Sequence, residues 1–179
     1  MFLIHMVDST IKKVKSNAAN LITICNLSFG GASILATLNE SYSYSVLFIF
    51  VAAFLDRYDG KVARKFNLES ELGKQLDSMG DIISFGVAPA LLMYENIMTD
   101  FGMVGMILTI LYIACGAFRL ARFNIMDTKG YFIGLPITVA GTFLTFSYFF
   151  TKLVEPQSYL FLFPILSILM ISTFKLKKV

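Results

Sequence analysis

Six apolar stretches, at about 18–38, 43–65, 73–95, 101–122, 133–151 and 157–174, run along this chain with only short connections between them. A helix needs about 20 such residues to cross the hydrocarbon core of a bilayer. The sequence therefore predicts an all-α polytopic membrane protein whose residues 18–179 form one domain of six transmembrane helices. Of the 179 residues, 56% are hydrophobic and only 15% charged, which excludes an ordinary soluble domain.

The first 17 residues are expected to be a separate N-terminal segment. "MFLIHMVDSTIKKVK" places its apolar residues before Lys12, Lys13 and Lys15, the reverse of a signal peptide. It suits a short amphipathic helix lying on the membrane surface. Cys25 and Cys115 both fall inside spans, where they are expected to be buried small apolar residues rather than disulfide partners.

Under the six-span reading every Lys and Arg except Lys152 lies on one side of the membrane. The positive-inside rule makes that side the cytoplasm, so both termini face it. The net charge of +3 suits contact with anionic lipid headgroups, and the same bias already accounts for it. Membrane lipids, and not nucleic acid, are the expected surroundings.

Against this background the stretch "DRYDGKVARKFNLESELGKQLDSMGD" at 56–81 stands out. On the second span Asp56, Asp59, Gly60 and Ala63 recur at i, i+3, i+4 and i+7, so they share one helical face. On the third, Gly73, Asp77, Gly80, Asp81, Ser84 and Ala88 repeat the pattern. A tight turn through "NLES" at 67–70, with Asn67 or Ser70 capping the third helix, would bring the two stripes face to face.

Carboxylates gathered with no histidine or thiolate among them are the ligand set of hard divalent cations, Mg2+ or Mn2+. Two such ions would neutralise four aspartates and leave coordination positions open to phosphate oxygens. An ion-pair network without chemistry is the alternative, and intramembrane acids are seldom that. Gly60 and Ala63 could serve helix packing, but on the acidic face they also leave room for a ligand. The residues alone point to a two-metal site for a phosphorylated lipid or nucleotide. An ion-coupled transporter would also bury acids, but acids near one membrane face and no evident inverted repeat argue against it. A structural adaptor would leave the aspartates without a role.

The pattern Asp56-x2-Asp59-Gly60-x2-Ala63-Arg64-x8-Gly73-x3-Asp77-x3-Asp81 resembles the signature of the CDP-alcohol phosphatidyltransferases. That resemblance implies a six-helix membrane enzyme, usually a homodimer, that moves a phosphate-bearing group from a CDP-alcohol to an acceptor hydroxyl and releases CMP. It implies metal binding by Asp56, Asp59, Asp77 and Asp81, and a general-base role for Asp81. "NLITICN" at 20–26, "SFGVAPA" at 84–90, "FRLARFN" at 118–124 and "YFIGLPIT" at 131–138 are similar to the members whose lipid donor is CDP-diacylglycerol and whose acceptor is L-serine. Ala19 and Thr138 stand where prolines are usual there. An ether-linked archaeal CDP-lipid would present the same diphosphate.

The resemblance also implies that Arg64 holds a phosphate or the cytosine, although its position equally suits a membrane anchor. It places Gly60, Ala63 and Gly73 beside the CDP-lipid. Asn20, Thr23 and Asn26 form a polar stripe that would line the same pocket, interhelical hydrogen bonding being the other explanation. For the serine acceptor the candidates are Arg119 and Arg122, with Ser84 and Asn124 behind them. A guanidinium is the natural clamp for serine's carboxylate, and snorkelling to the interface fits the same two positions. Glycerol phosphate and inositol phosphate remain alternative acceptors. Pro89 and Pro136 are expected to bend their helices.

Overall fold

In a computed structural model the chain is described over residues 2–66, 71–125 and 131–177, and its side chains over 20–58, 71–125 and 134–174. The chain is predominantly helical, as expected. Helix α1 runs unbroken from Phe2 to Leu38, so residues 2–17 continue the first span's helix instead of forming a separate one. Three loop residues lead into α2, Tyr42–Phe66. There Ser41 N–H reaches Ala36 O at 2.9 Å and Glu40 N–H reaches Thr37 O at 2.9 Å. This paired closure of a helix end normally places glycine where Glu40 sits at φ 56°.

The third span is composite: α3, Glu71–Asp81, a π-helical turn, Ile82–Val87, and α4, Ala88–Asn96. A 3-10 turn, Met98–Phe101, leads into α5, Gly102–Ile125. Then come α6, Ile137–Ser147, and α7, Tyr159–Ile171. Asn20–Leu38, Glu71–Asn96 and Met98–Ile125 are long and apolar enough to cross a membrane. In α2, acids and bases from Asp56 onwards take up part of the length that hydropathy assigns to a span. The apolar helices Ile137–Phe150 and Pro156–Ile171 are shorter, roughly 20–25 Å against about 30 Å of hydrocarbon.

Two expectations need correction between α5 and α6. The stretch predicted to be helical from 133 begins instead with strand β1, Tyr131–Ile133, paired antiparallel with β2, Lys175–Lys177. Pro136 precedes the first turn of α6 and so bends no helix. Pro89 sits in the first turn of α4, but the helix runs on into it from the π turn, so its missing N–H leaves the carbonyl four residues earlier without that donor. The proposed caps Asn67 and Ser70 lie outside the described residues.

The main core joins α4, α5, α6 and α7 through Phe85, Met93, Tyr112, Ile137, Leu144 and Phe163. Outside it, Met103, Val104, Ile107, Ile110 and Phe118 leave one flank of α5 apolar and exposed. Cys115 is buried as expected, Cys25 is exposed, and both are free thiols.

At the end of the bundle where α1 turns into α2, Ser45 Oγ hydrogen-bonds Ser33 Oγ at 2.8 Å and Thr37 Oγ1 at 2.7 Å. All three hydroxyls are buried. Ser45→Ala should therefore lower stability by about 1–3 kcal/mol, because it leaves two hydroxyls without this partner. A thermal unfolding scan in detergent checks this, and an unshifted midpoint would mean that the triad contributes nothing.

Candidate metal centre and active site

Two helices bring three acids together near the junction of α3 and the π turn. From α2 comes Asp56, and from successive turns of α3 come Asp77 and Asp81. One carboxylate oxygen from each lies within 4.8 Å of the others, and all three residues are half-buried. Asp56 and Asp81 are close enough for their carboxyl groups to hydrogen-bond. The facing stripes expected from the sequence thus meet at these three acids. Asp59, Gly60, Ala63 and Arg64 lie beyond the described side chains.

Like charges this close repel unless positive charge lies between them. The oxygens on opposite sides of a Mg2+ are about 4.2 Å apart, from metal–oxygen distances of about 2.1 Å. A spacing of 4.8 Å at most is therefore near the right size for one shared ion. Asp81 adds a second sign: its Oδ1 is buried with no hydrogen-bond partner. A buried carboxylate oxygen in that state has given up its water hydrogen bonds and made none in return. An all-oxygen set with an orphaned, buried ligand atom suits a hard divalent cation.

Helix α1 forms another wall. Asn26 is fully buried, and neither its amide nitrogen nor its amide oxygen has a hydrogen-bond partner. It packs beside Gly80, where an added β-carbon would lie 3.5 Å from Asn26 Nδ2. A β-carbon at 80 would make ordinary van der Waals contact with the amide, so the helices pack closely here without excluding alanine. Thr23, one turn earlier, is also buried, and Asn20 is half-buried. An orphaned amide next to the acids is a group set to meet a polar ligand. Gly73 lies at the start of α3, one helical turn before Asp77.

The four candidates for the acceptor part company. Arg119 is only 5% exposed, which rules out snorkelling, and its Nε has no hydrogen-bond partner. It lies close enough to Asp81 for their charges to interact, and its guanidinium carbon is 5.8 Å from the centre of the Phe123 ring. Arg122 instead donates from Nη1 to Ile171 O at 2.9 Å and from Nη2 to Ser172 O at 3.1 Å. It therefore binds carbonyls at the C-terminal end of α7, a favourable place for a cation. Asn124 Nδ2 donates to Ser78 Oγ at 2.8 Å, and Lys74 Nζ donates to Asn124 O at 3.2 Å. These two bonds fasten the end of α5 to α3. Ser84 is buried and donates from Oγ to Asn26 O at 3.2 Å, joining the π turn to α1.

Sequence reasoning missed the π turn and the hydroxyl that meets it, Tyr112 Oη, which donates to Phe85 O at 3.2 Å. The available signal was Pro89. A proline inside a predicted span leaves the carbonyl four residues earlier without its usual donor, and that carbonyl is Phe85's.

Comparison with known proteins covers most of the chain. The model of the CDP-alcohol phosphatidyltransferase family matches residues 16–174. The CDP-diacylglycerol–serine O-phosphatidyltransferase of Bacillus subtilis (strain 168) is 41% identical over 132 residues, covering 72% of this chain and 75% of that protein. The archaetidylserine synthase of Methanothermobacter thermautotrophicus is 36% identical over 173 residues, covering 94% of this chain and 73% of that one. A CDP-diacylglycerol–serine O-phosphatidyltransferase of Methanocaldococcus jannaschii is 40% identical over 126 residues, 70% of this chain and 57% of that protein.

Proposed function

Because the chain belongs to the CDP-alcohol phosphatidyltransferase family, we propose that it transfers the phosphatidyl group of a CDP-lipid to the hydroxyl of L-serine, releasing CMP. The observation that carries this reading is the convergence of Asp56, Asp77 and Asp81 beside the buried Arg119. Its support is that the chain is 41% identical to a CDP-diacylglycerol–serine O-phosphatidyltransferase and 36% identical to an archaetidylserine synthase.

Asp56, Asp77 and Asp81, with Asp59 from the motif, would hold two divalent cations, Mg2+ or Mn2+. When bound, such ions draw charge from the diphosphate and from the leaving CMP oxygen. Asp81 takes the proton from serine's hydroxyl as that oxygen bonds to the phosphorus and the bond to CMP breaks. Asn26 offers both a donor and an acceptor to the CDP-lipid. Asn20, Thr23, Gly60, Ala63, Arg64 and Gly73 complete the same pocket. Arg119 gives serine's carboxylate a buried, permanently charged partner, and Phe123 covers the guanidinium.

The short apolar helices and α2 are read as further spans, six in all, with both termini and the acids facing the cytoplasm and with a homodimer as the working unit. Lipid tails would lie along the exposed apolar flanks. The test supplies purified protein with Mg2+ or Mn2+, CDP-diacylglycerol or CDP-archaeol, and one acceptor at a time. A serine lipid formed only with serine is expected. A product formed with glycerol 3-phosphate or inositol phosphate, but not with serine, would assign the chain to a sister activity.

A further inference from the structure

Asp81 is the last residue of α3, and the π turn Ile82–Val87 begins at the next position. A π turn carries wider hydrogen bonds than an α-helix, as in the bond from Ala88 N–H to Ile83 O. Removing or adding one residue's worth of winding turns a helix by about 100°. The direction in which Asp81 faces, relative to α4 and the core beyond it, therefore depends on this segment staying π-helical.

Two residues far apart in sequence act on one atom of the segment, Phe85 O. Pro89 has no N–H, so it cannot close the i→i−4 bond that an α-helix would make to that carbonyl. Tyr112, fully buried on α5, donates its hydroxyl to the same oxygen at 3.2 Å. The surroundings leave little slack. Gly141 on α6 approaches so closely that a β-carbon there would collide with Phe85 O. Ser84 ties the other side to Asn26 O on α1 at 3.2 Å.

We propose that Tyr112 and Pro89 are positioning residues: together they hold the turn in π geometry, and the turn sets how the end of α3, with Asp77 and Asp81, faces Asp56 on α2. Pro89 withholds the bond that would wind the segment tighter, and Tyr112 satisfies the carbonyl left over. The chemical significance rests on the transferase reading, while the geometric part stands without it.

The test uses the full chain with two readouts. In a background with Cys25→Ala and Cys115→Ala, the pair Asp56→Cys and Asp81→Cys is cross-linked with a short bifunctional methanethiosulfonate. Adding Pro89→Ala or Tyr112→Phe should slow cross-linking several-fold. With the acids intact, the same two substitutions should weaken Mn2+ binding, measured by calorimetry, by about 10- to 100-fold, as loss of an outer-shell support does. Pro89→Ala should do so without lowering the unfolding temperature, because it restores a backbone donor. Unchanged cross-linking and Mn2+ affinity in both variants would overturn the inference. Losses that merely follow a fall in unfolding temperature would overturn it too. If no serine lipid forms yet cross-linking still responds to Pro89→Ala, the transferase reading fails and the positioning inference survives. If both variants form serine lipid normally and cross-link at the unaltered rate, the positioning inference fails and the transferase reading survives.

Discussion

Asparagine in place of Asp81 should reduce turnover by at least about 100-fold, because positioned proton transfer contributes about 10²–10⁴-fold. The substitution keeps the shape of the side chain and removes its charge and its basicity. The packing of Gly80 against Asn26 is untouched, so the fold should survive. CDP-lipid should still bind, held by the other acids and by Asn26. The measurements are kcat with saturating serine and a binding isotherm for CDP-diacylglycerol. Asp56→Asn removes an acid that meets both Asp77 and Asp81, so it should weaken metal and CDP-lipid binding as well. In the same assays EDTA should abolish turnover, with Mg2+ or Mn2+ restoring it. Near wild-type turnover by Asp81→Asn would transfer the proton to another group, and full activity in chelator would remove the metal centre.

The second large effect separates two arginines that sequence spacing treats alike. Arg119→Ala should raise the apparent KM for serine far more than that for CDP-lipid. A charge-assisted hydrogen bond contributes about 1.5–3 kcal/mol, which corresponds to roughly ten-fold to more than a hundred-fold in affinity. Arg119→Lys should recover little of the loss, since an ammonium cannot present the guanidinium's planar fork. Arg122→Ala has a different expected signature. It releases Ile171 O and Ser172 O at the end of α7, so the unfolding temperature should drop while both KM values stay near wild type. Equal KM effects from the two substitutions would show that the acceptor site is not organised around Arg119.

Parts of the site differ in how far the sequence reveals them, for a physical reason. Asp56, Asp77 and Asp81 can be brought together from spacing because helical periodicity sets which residues share a face, and one short turn sets which faces meet. The roles of Arg119 and Arg122 cannot be separated that way. They lie three residues apart on α5, yet one is buried beside Asp81 and the other binds the last carbonyls of α7, about 50 residues further along. Asn124 and Ser84 likewise have the chemistry of acceptor contacts and instead join helices.

By itself the sequence determined the apolar, helical class and which acids share a helical face, while the family came from resemblance to a known motif. Composition and helical periodicity act within a few turns, which folding preserves. Tertiary structure decided what depends on distant partners. It put a π turn after Asp81, left the Asn26 amide buried and unpaired, and paired Tyr131–Ile133 with Lys175–Lys177 where helix was expected. Which carbonyl lacks a donor can be read from a proline, but which hydroxyl reaches it is settled only when the helices pack.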